Sequence, residues 1–290
     1  MTTILEHYGM NPVGAGYIPK KLAPADEVWK IASGEVIGIE IEVENQIHRR
    51  PSNSVWTVVE DGSLRNGGIE FISKPIGAGW APAALHHLFT QDLDNGMCFS
   101  PRTSTHVHVN VQDLTQEQVI DLVMVYALFE KALYRFVGKS RWKNIYCTPI
   151  TETNYLPLLG DMRMNVPWEK YTGLNLCPIS TKGTLEFRHM HGTPDVKKLC
   201  LWIDLITRLK GYVKSHTTAE IRRTIIGFNG GQVHQIAVDV FGELADYLNI
   251  SDPYEVVSRL PTIKLALLKS SLLNRAYTKT VDLTSKFFTV

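Results

Sequence analysis

The sequence predicts an α+β protein in which short strands form one sheet with an ionisable face and an apolar back. Three stretches predict it. In Gly38-Ile39-Glu40-Ile41-Glu42-Val43-Glu44, a period of two sets the three glutamates on one side and Ile39, Ile41 and Val43 on the other. In Thr105–Val111, His106, His108 and Asn110 alternate with Val107, Val109 and Val111. In Thr184–His189, Glu186 and Arg188 share a face opposite Leu185 and Phe187. The apolar faces belong on a core. Like charges side by side repel unless something cationic lies between them, so the polar faces of three such strands would line a cleft.

The first strand covers about 35–44, after a loosely structured lead-in over 1–34 that carries Pro12, Gly14, Gly16, Pro19 and Pro24. A polar loop follows, with His48, Arg49, Arg50 and Pro51. Residues 54–59 and 69–73 are β-prone, and Asn66-Gly67-Gly68 between them predicts a hairpin that brings Asp61 and Glu70 close. Pro82 opens a helix to about Leu93. Thr115-Gln116-Glu117-Gln118 resembles a capping box for a helix that runs to about Phe136 and stops at Gly138. From Lys139 to Tyr171 periodicity vanishes, and Trp142, Tyr146, Tyr155 and Trp168 sit among Arg141, Lys143, Arg163 and Lys170. So long an irregular stretch is expected to be functional or disordered. Thr172–Leu176 is a short strand paired with 184–190 through Lys182-Gly183. Pro194 starts an amphipathic helix to about Lys214, and 218–270 holds two or three helices with Pro253 and Pro261 at starts. The expected organisation is a lead-in over 1–34, a core over 35–214 and a helical extension over 215–290.

Composition narrows the function classes. With 30 basic and 29 acidic residues, the net charge of +1 gives no nucleic-acid footprint. Cys98, Cys147, Cys177 and Cys200 lack CxxC spacing and, with no secretory leader, read as reduced thiols of a cytoplasmic protein. No apolar run of about 18 residues predicts a membrane span.

Glu40, Glu42, Asp61, Glu70, His106 and Glu186 form a ligand set for Mg²⁺ or Mn²⁺, rich in carboxylate and free of thiolate. Two or three such ions could bridge nucleotide phosphates, and Arg188 could neutralise charge developing on a transferred phosphoryl group. Each feature also has an ordinary reading: an exposed strand face for Glu40 and Glu42, structural histidines for His106 and His108, a surface ion pair for Glu186 and Arg188, and a turn for Asp61. His48, His189 and His191 are read as structural.

Taken in order, GIEIEVE, EDGSL, GIEFISKP, STHVHVNV and GTLEFRHMHGT resemble the amidoligase family, related to glutamine synthetase and the gamma-glutamylcysteine synthetase type of carboxylate–amine ligase. The resemblance spans residues 36 to about 193. It implies a curved antiparallel sheet of the glutamine synthetase-like type, helices on its outer face, and ATP with Mg²⁺ or Mn²⁺ on its inner face. It implies ATP-dependent joining of a carboxylate to an amine through an acyl phosphate.

Matched to the family's pattern, Glu40 and Glu186, with His106 beside them, hold the metal that bridges the nucleotide phosphates. Glu42, Asp61 and Glu70 hold the metal nearer the acyl substrate. His108 contacts phosphate and Arg188 stabilises the transferred group. Catalysis thus falls to Arg188, His108 and Asp61, and nucleotide binding to Glu40, Glu186, His108 and Arg188. The base for the amine would lie in the 139–171 segment, where Glu152, Asp161 and Glu169 are candidates. The family often reaches the HxH strand through Cys-Gly, where this chain has Arg102-Thr103-Ser104-Thr105.

Two other readings stand beside the ligase. One is a metal-dependent hydrolase with His106 and His108 as ligands. The other is a non-catalytic nucleotide-binding module of the same fold. The carboxylate and amine partners are left open among an amino acid, an acidic peptide, a cell-wall fragment and a modified base.

Overall fold

The structure is a computed structural model. It describes residues 2–16, 29–31, 33–45, 52–92, 98–142, 144–159, 168–228, 230–250, 256, 258 and 260–267. Its centre is an antiparallel sheet of seven strands: β1 (Val36–Val43), β2 (Trp56–Glu60), β3 (Ile69–Ser73), β4 (Ile76–Gly77), β5 (Ser104–Asn110), β6 (Leu174–Asn175) and β7 (Thr184–His191). Their order is β2-β3-β1-β5-β7-β6, with β4 paired to β1. The β-branched residues of β1 and β5 supply the apolar back: Ile37, Ile39, Ile41, Val107 and Val109 are all buried.

The hairpin forms as expected. Asp61 N–H donates to the Gly68 carbonyl at 3.1 Å, and Asn66 and Gly67 both take positive φ in the turn. Helix α2 (Ala81–His87) continues as a π-helical turn over Leu88–Asp92. Helix α3 (Gln116–Val137) carries the capping box, with Thr115 Oγ1 accepting from Gln118 N–H at 3.2 Å and Gln118 Oε1 from Thr115 N–H at 2.9 Å. It stops at Gly138. Helix α6 (Val196–Ser215) is capped by Asp195. Both pack on the apolar face: Tyr126 of α3 meets Phe187, and Trp202 of α6 meets Phe187 and His189.

Four expectations need correcting. The lead-in is not loose throughout: Thr3 and Glu6 form a capping box that starts α1 (Ile4–Tyr8), and Gly9 ends it. Ile4 N–H donates to the Leu114 carbonyl, and Gln112 holds Val13 and Asn11 by its side chain. The segment after Lys139 contains α4 (Lys139–Trp142), a 3₁₀ turn over Ile150–Glu152 and α5 (Tyr155–Leu159), all too short to leave a periodic signal. The strand expected over 172–176 shrinks to β6, because Trp168 Nε1–H and the Thr172 hydroxyl both donate to the Leu174 carbonyl. Between β6 and β7 the chain makes a 3₁₀ turn over Cys177–Ser180 before Gly183 turns it with positive φ.

Helices α7 (Thr218–Gly227) and α8 (Val233–Phe241) follow, with a 3₁₀ stretch over Gly242–Leu248 and a further helix over 260–267. Pro261 stands in its first turn, whereas Pro253, His48, Arg163 and Asp161 lie outside the described residues. α7 is tied to α3 by Arg222 Nε–H, which donates to buried Asp121 Oδ1 at 2.9 Å. No described helix is long and apolar enough to cross a membrane. All four cysteines are free.

Candidate functional site

Strand register builds the site. Across four adjacent strands, Glu70 stands opposite Glu42, Glu40 opposite His106, and His108 opposite Glu186. Residues 28 to 78 positions apart in the chain thus become side-by-side neighbours on one face.

Two groups of metal-ligating atoms result. One comprises Glu40, His106 and Glu186, the other Glu42, Glu70 and His106; within each, one ligand atom per residue lies within 4.8 Å of the others. His106 Nδ1 is 3.3 Å from Glu40 Oε2 and 3.5 Å from Glu186 Oε1, and its Nε2 is 3.9 Å from Glu42 Oε1. The histidine therefore stands between the groups. Both groups could hold a metal ion, and their oxygen and imidazole donors suit Mg²⁺ or Mn²⁺.

The electrostatics favour a cation. Burial pushes the Glu70 carboxyl up, and the charges of Glu40, Glu42, Asp61 and Glu186 push it further, to about 8. A protein-only site thus keeps a proton on Glu70 at neutral pH. Burial would also raise Glu40, but its hydrogen bonds and charge contacts with His106 and His108 outweigh that and hold it well below the carboxylate range. In Glu186 burial is likewise outweighed, by the charges of His106 and Arg188.

The remaining contacts fix orientation. Glu186 Oε2 accepts from Asn175 Nδ2 at 2.5 Å, and its other oxygen pairs with Arg188. Glu42 Oε2 accepts from Ser104 N–H at 2.7 Å. His108 belongs to neither group: its Nε2 lies 3.1 Å from Glu40 Oε1 and its Nδ1 2.9 Å from Thr184 Oγ1. Asp61 also stands outside both groups. Its Oδ1 accepts from Ser63 N–H at 2.8 Å, a turn contact, while the residue lines the same cavity. Glu44, on the same strand face by alternation, is buried and accepts from Arg65 N–H. His189 is structural as expected: it is fully buried against the Tyr126 hydroxyl, and burial keeps it neutral.

Arg141 is a cavity-lining residue that the sequence pattern does not single out. It is 3% exposed and lines the acidic cavity. The β5–β7 register slips between Thr105/Met190 and Val107/Phe187, and this bulge frees the carbonyls of Arg188 and His189. Arg141 donates to both, at 2.9 and 2.7 Å. It thereby fixes the backbone from which Arg188 projects. No local pattern marks it, because the bulge that needs it is 47 residues away.

Two cavities adjoin along the sheet, and Glu40 lines both. The first, about 530 Å³, is walled by Val36–Ile39, Ile72, Pro75 and the lead-in residues Gly9, Met10, Asn11 and Val13, with buried His108 and exposed Lys182 also in its lining. The second, about 250 Å³, holds Glu42, Asp61, Glu70, His106 and Arg188, with Arg102, Arg141, Tyr146, Lys170 and Tyr171 around them. Among the described residues, neither Glu152 nor Glu169 lines it.

No protein-family model matches the chain, and no curated protein matches it in sequence.

Proposed function

We propose that the protein is an ATP-dependent carboxylate–amine ligase of the glutamine synthetase-like type that works through an acyl phosphate. The observation that carries this reading is the pair of metal-ligating groups sharing His106, with Arg188 paired to Glu186 and Glu40 lining both cavities. The hydrolase expected from the sequence would set His106 and His108 on one metal. Two carboxylate-rich groups with an arginine beside them suit a site that gathers several anions and transfers a phosphoryl group between them.

In this reading the apolar cavity takes the nucleoside, and Lys182 and His108 meet its phosphates. Glu40, Glu186 and His106 would hold one Mg²⁺ or Mn²⁺ ion, and Glu42 and Glu70, with Asp61 lining the same cavity, the other; a neutral imidazole ligates one ion, so His106 serves one group at a time. Such ions would neutralise charge on the phosphates and the carboxylate. The substrate carboxylate attacks the γ-phosphorus, the bond to the β-phosphate oxygen breaks, and ADP leaves. Arg188 stabilises the charge spread over the transferred group, held in place by Arg141 and Glu186. The amine then attacks the acyl carbon, inorganic phosphate leaves, and the amine's proton passes to a base. The alternative hydrolase is disfavoured by geometry: among the described residues, no metal-ligating group contains both His106 and His108.

The test uses hydroxylamine as a general amine. With ATP, Mn²⁺ and pooled carboxylic acids, a ligase produces hydroxamate and ADP in equal amounts. ATP that binds without ever giving ADP would favour the non-catalytic module.

A further inference from the structure

The acidic cavity has an unusual rim. Arg102, Arg141 and Lys170 line it together with Glu42, Asp61 and Glu70, yet among the described residues their contacts are to carbonyls, a hydroxyl and a ring rather than to carboxylates. Arg102 Nη2–H donates to the Ser63 carbonyl at 3.0 Å. Arg141 is spent on two carbonyls and, at 3.5 Å, the Ser104 hydroxyl. Lys170 Nζ lies 4.9 Å from the centre of the Tyr171 ring. Arg102 and Lys170, exposed in the cavity lining and held apart from its acids, are placed to meet an anionic ligand.

Beside these cations lies an apolar lip. Ile145 is 73% exposed, Tyr146 51% and Tyr171 42%, and the two tyrosine rings meet edge to face at 5.5 Å. Asn144 Oδ1 accepts from Tyr146 N–H, which fixes the turn that presents Ile145 and Tyr146. The cavity's 250 Å³ falls below the about 300–1,000 Å³ that encloses a drug-sized ligand, so only the reacting end of a larger molecule fits inside.

We infer that this site takes an acidic peptide, whose carboxyl end enters the cavity while the preceding residues lie across Ile145, Tyr146 and Tyr171. Arg102 and Lys170 at the mouth meet its acidic side chains. That the peptide is the acyl donor rests on the ligase reading; that the lip binds peptide does not. A free amino acid would leave the lip in water, and a fatty acid would leave Arg102 and Lys170 unmatched. Rigid tyrosines offer contact area at small entropic cost, which suits a peptide surface.

The experiment is calorimetric titration of short peptides ending in aspartate or glutamate, against the free amino acids, into the full chain with Mn²⁺. It is run with and without a non-hydrolysable ATP analogue, and in the variants Ile145→Ser, Tyr171→Ala and Lys170→Glu. The peptides are expected to bind about tenfold or more tightly than the free amino acids. Each variant is expected to weaken the peptides by about tenfold, and Ile145→Ser, outside both cavities, to leave analogue affinity unchanged. Equal affinity for free amino acids, unchanged peptide affinity in all three variants, or no peptide binding by protein that binds the analogue would each overturn the inference. An analogue that fails to bind while peptides bind and respond to the variants would count against the ligase reading and uphold the peptide surface.

Discussion

Glu42 and Glu70 stand directly opposite each other on β1 and β3. Two carboxylates in that relation destabilise a sheet, and these two also share burial with Glu40 and Glu186. A divalent cation between them would convert the repulsion into coordination.

The first prediction follows from that pair. The folded Glu70 carboxyl sits at about 8, against an ordinary 4.5. Between those values Glu70 holds a proton in the metal-free folded protein that it lacks in the unfolded chain, so its contribution to stability falls as pH rises through this window. Buried, neutral His189 works the other way below its ordinary 6.5, so the Glu70 effect is read between about pH 6.5 and 8. Over that range the metal-free Tm should fall more in wild type than in Glu70→Gln, and Mn²⁺ should raise the wild-type Tm more at about pH 8. The same pH dependence in wild type and Glu70→Gln would count against the assignment.

Arg188 gives the second. Arg188→Ala should cut ligase turnover by about 10²–10³, or about 3–4 kcal/mol of transition-state stabilisation, while metal-dependent nucleotide affinity changes little. Arg141→Ala should lower turnover as well, through loss of the contacts at the bulge. Equal losses in affinity and turnover for Arg188→Ala would assign it to ground-state binding instead.

A third concerns the lead-in. Gln112 accepts from Val13 N–H at 2.9 Å and donates to the Asn11 carbonyl at 3.2 Å, so it holds one wall of the apolar cavity. Gln112→Ala should weaken ATP binding while Mn²⁺ binding measured alone stays unchanged. Unaltered ATP affinity would place the nucleoside elsewhere.

The fourth tests how α7 is fastened. Asp121 is fully buried and bonded to Arg222. Arg222→Ala should destabilise the fold by about 3–5 kcal/mol, because it strands a buried carboxylate, and Asp121→Asn/Arg222→Gln should recover part of that. Chemical denaturation measures both.

The site strands were legible because their information is local. Alternation in Gly38–Glu44, Thr105–Val111 and Thr184–His189 needs only a period of two and one buried face. The hairpin was legible from Asn66-Gly67-Gly68. That Glu40 would face His106, and His108 face Glu186, is a matter of register between distant strands, which no local pattern states. Arg141 and Ser104 were illegible for a related reason: their roles depend on a bulge in β7 and on a backbone N–H aimed at Glu42. The Thr3–Glu6 capping box was present in the sequence, but the glycines and prolines that follow masked it.

The most direct test of the ligase site is calorimetric titration of ATP with Mg²⁺, then Mn²⁺, into wild type and Glu40→Ala, with circular dichroism to show that the variant is folded. Glu40 touches both histidines and both cavities. Metal-dependent ATP binding in the wild type, lost in folded Glu40→Ala, is the expected result. No ATP binding by folded wild type with either metal would contradict a nucleotide-dependent ligase.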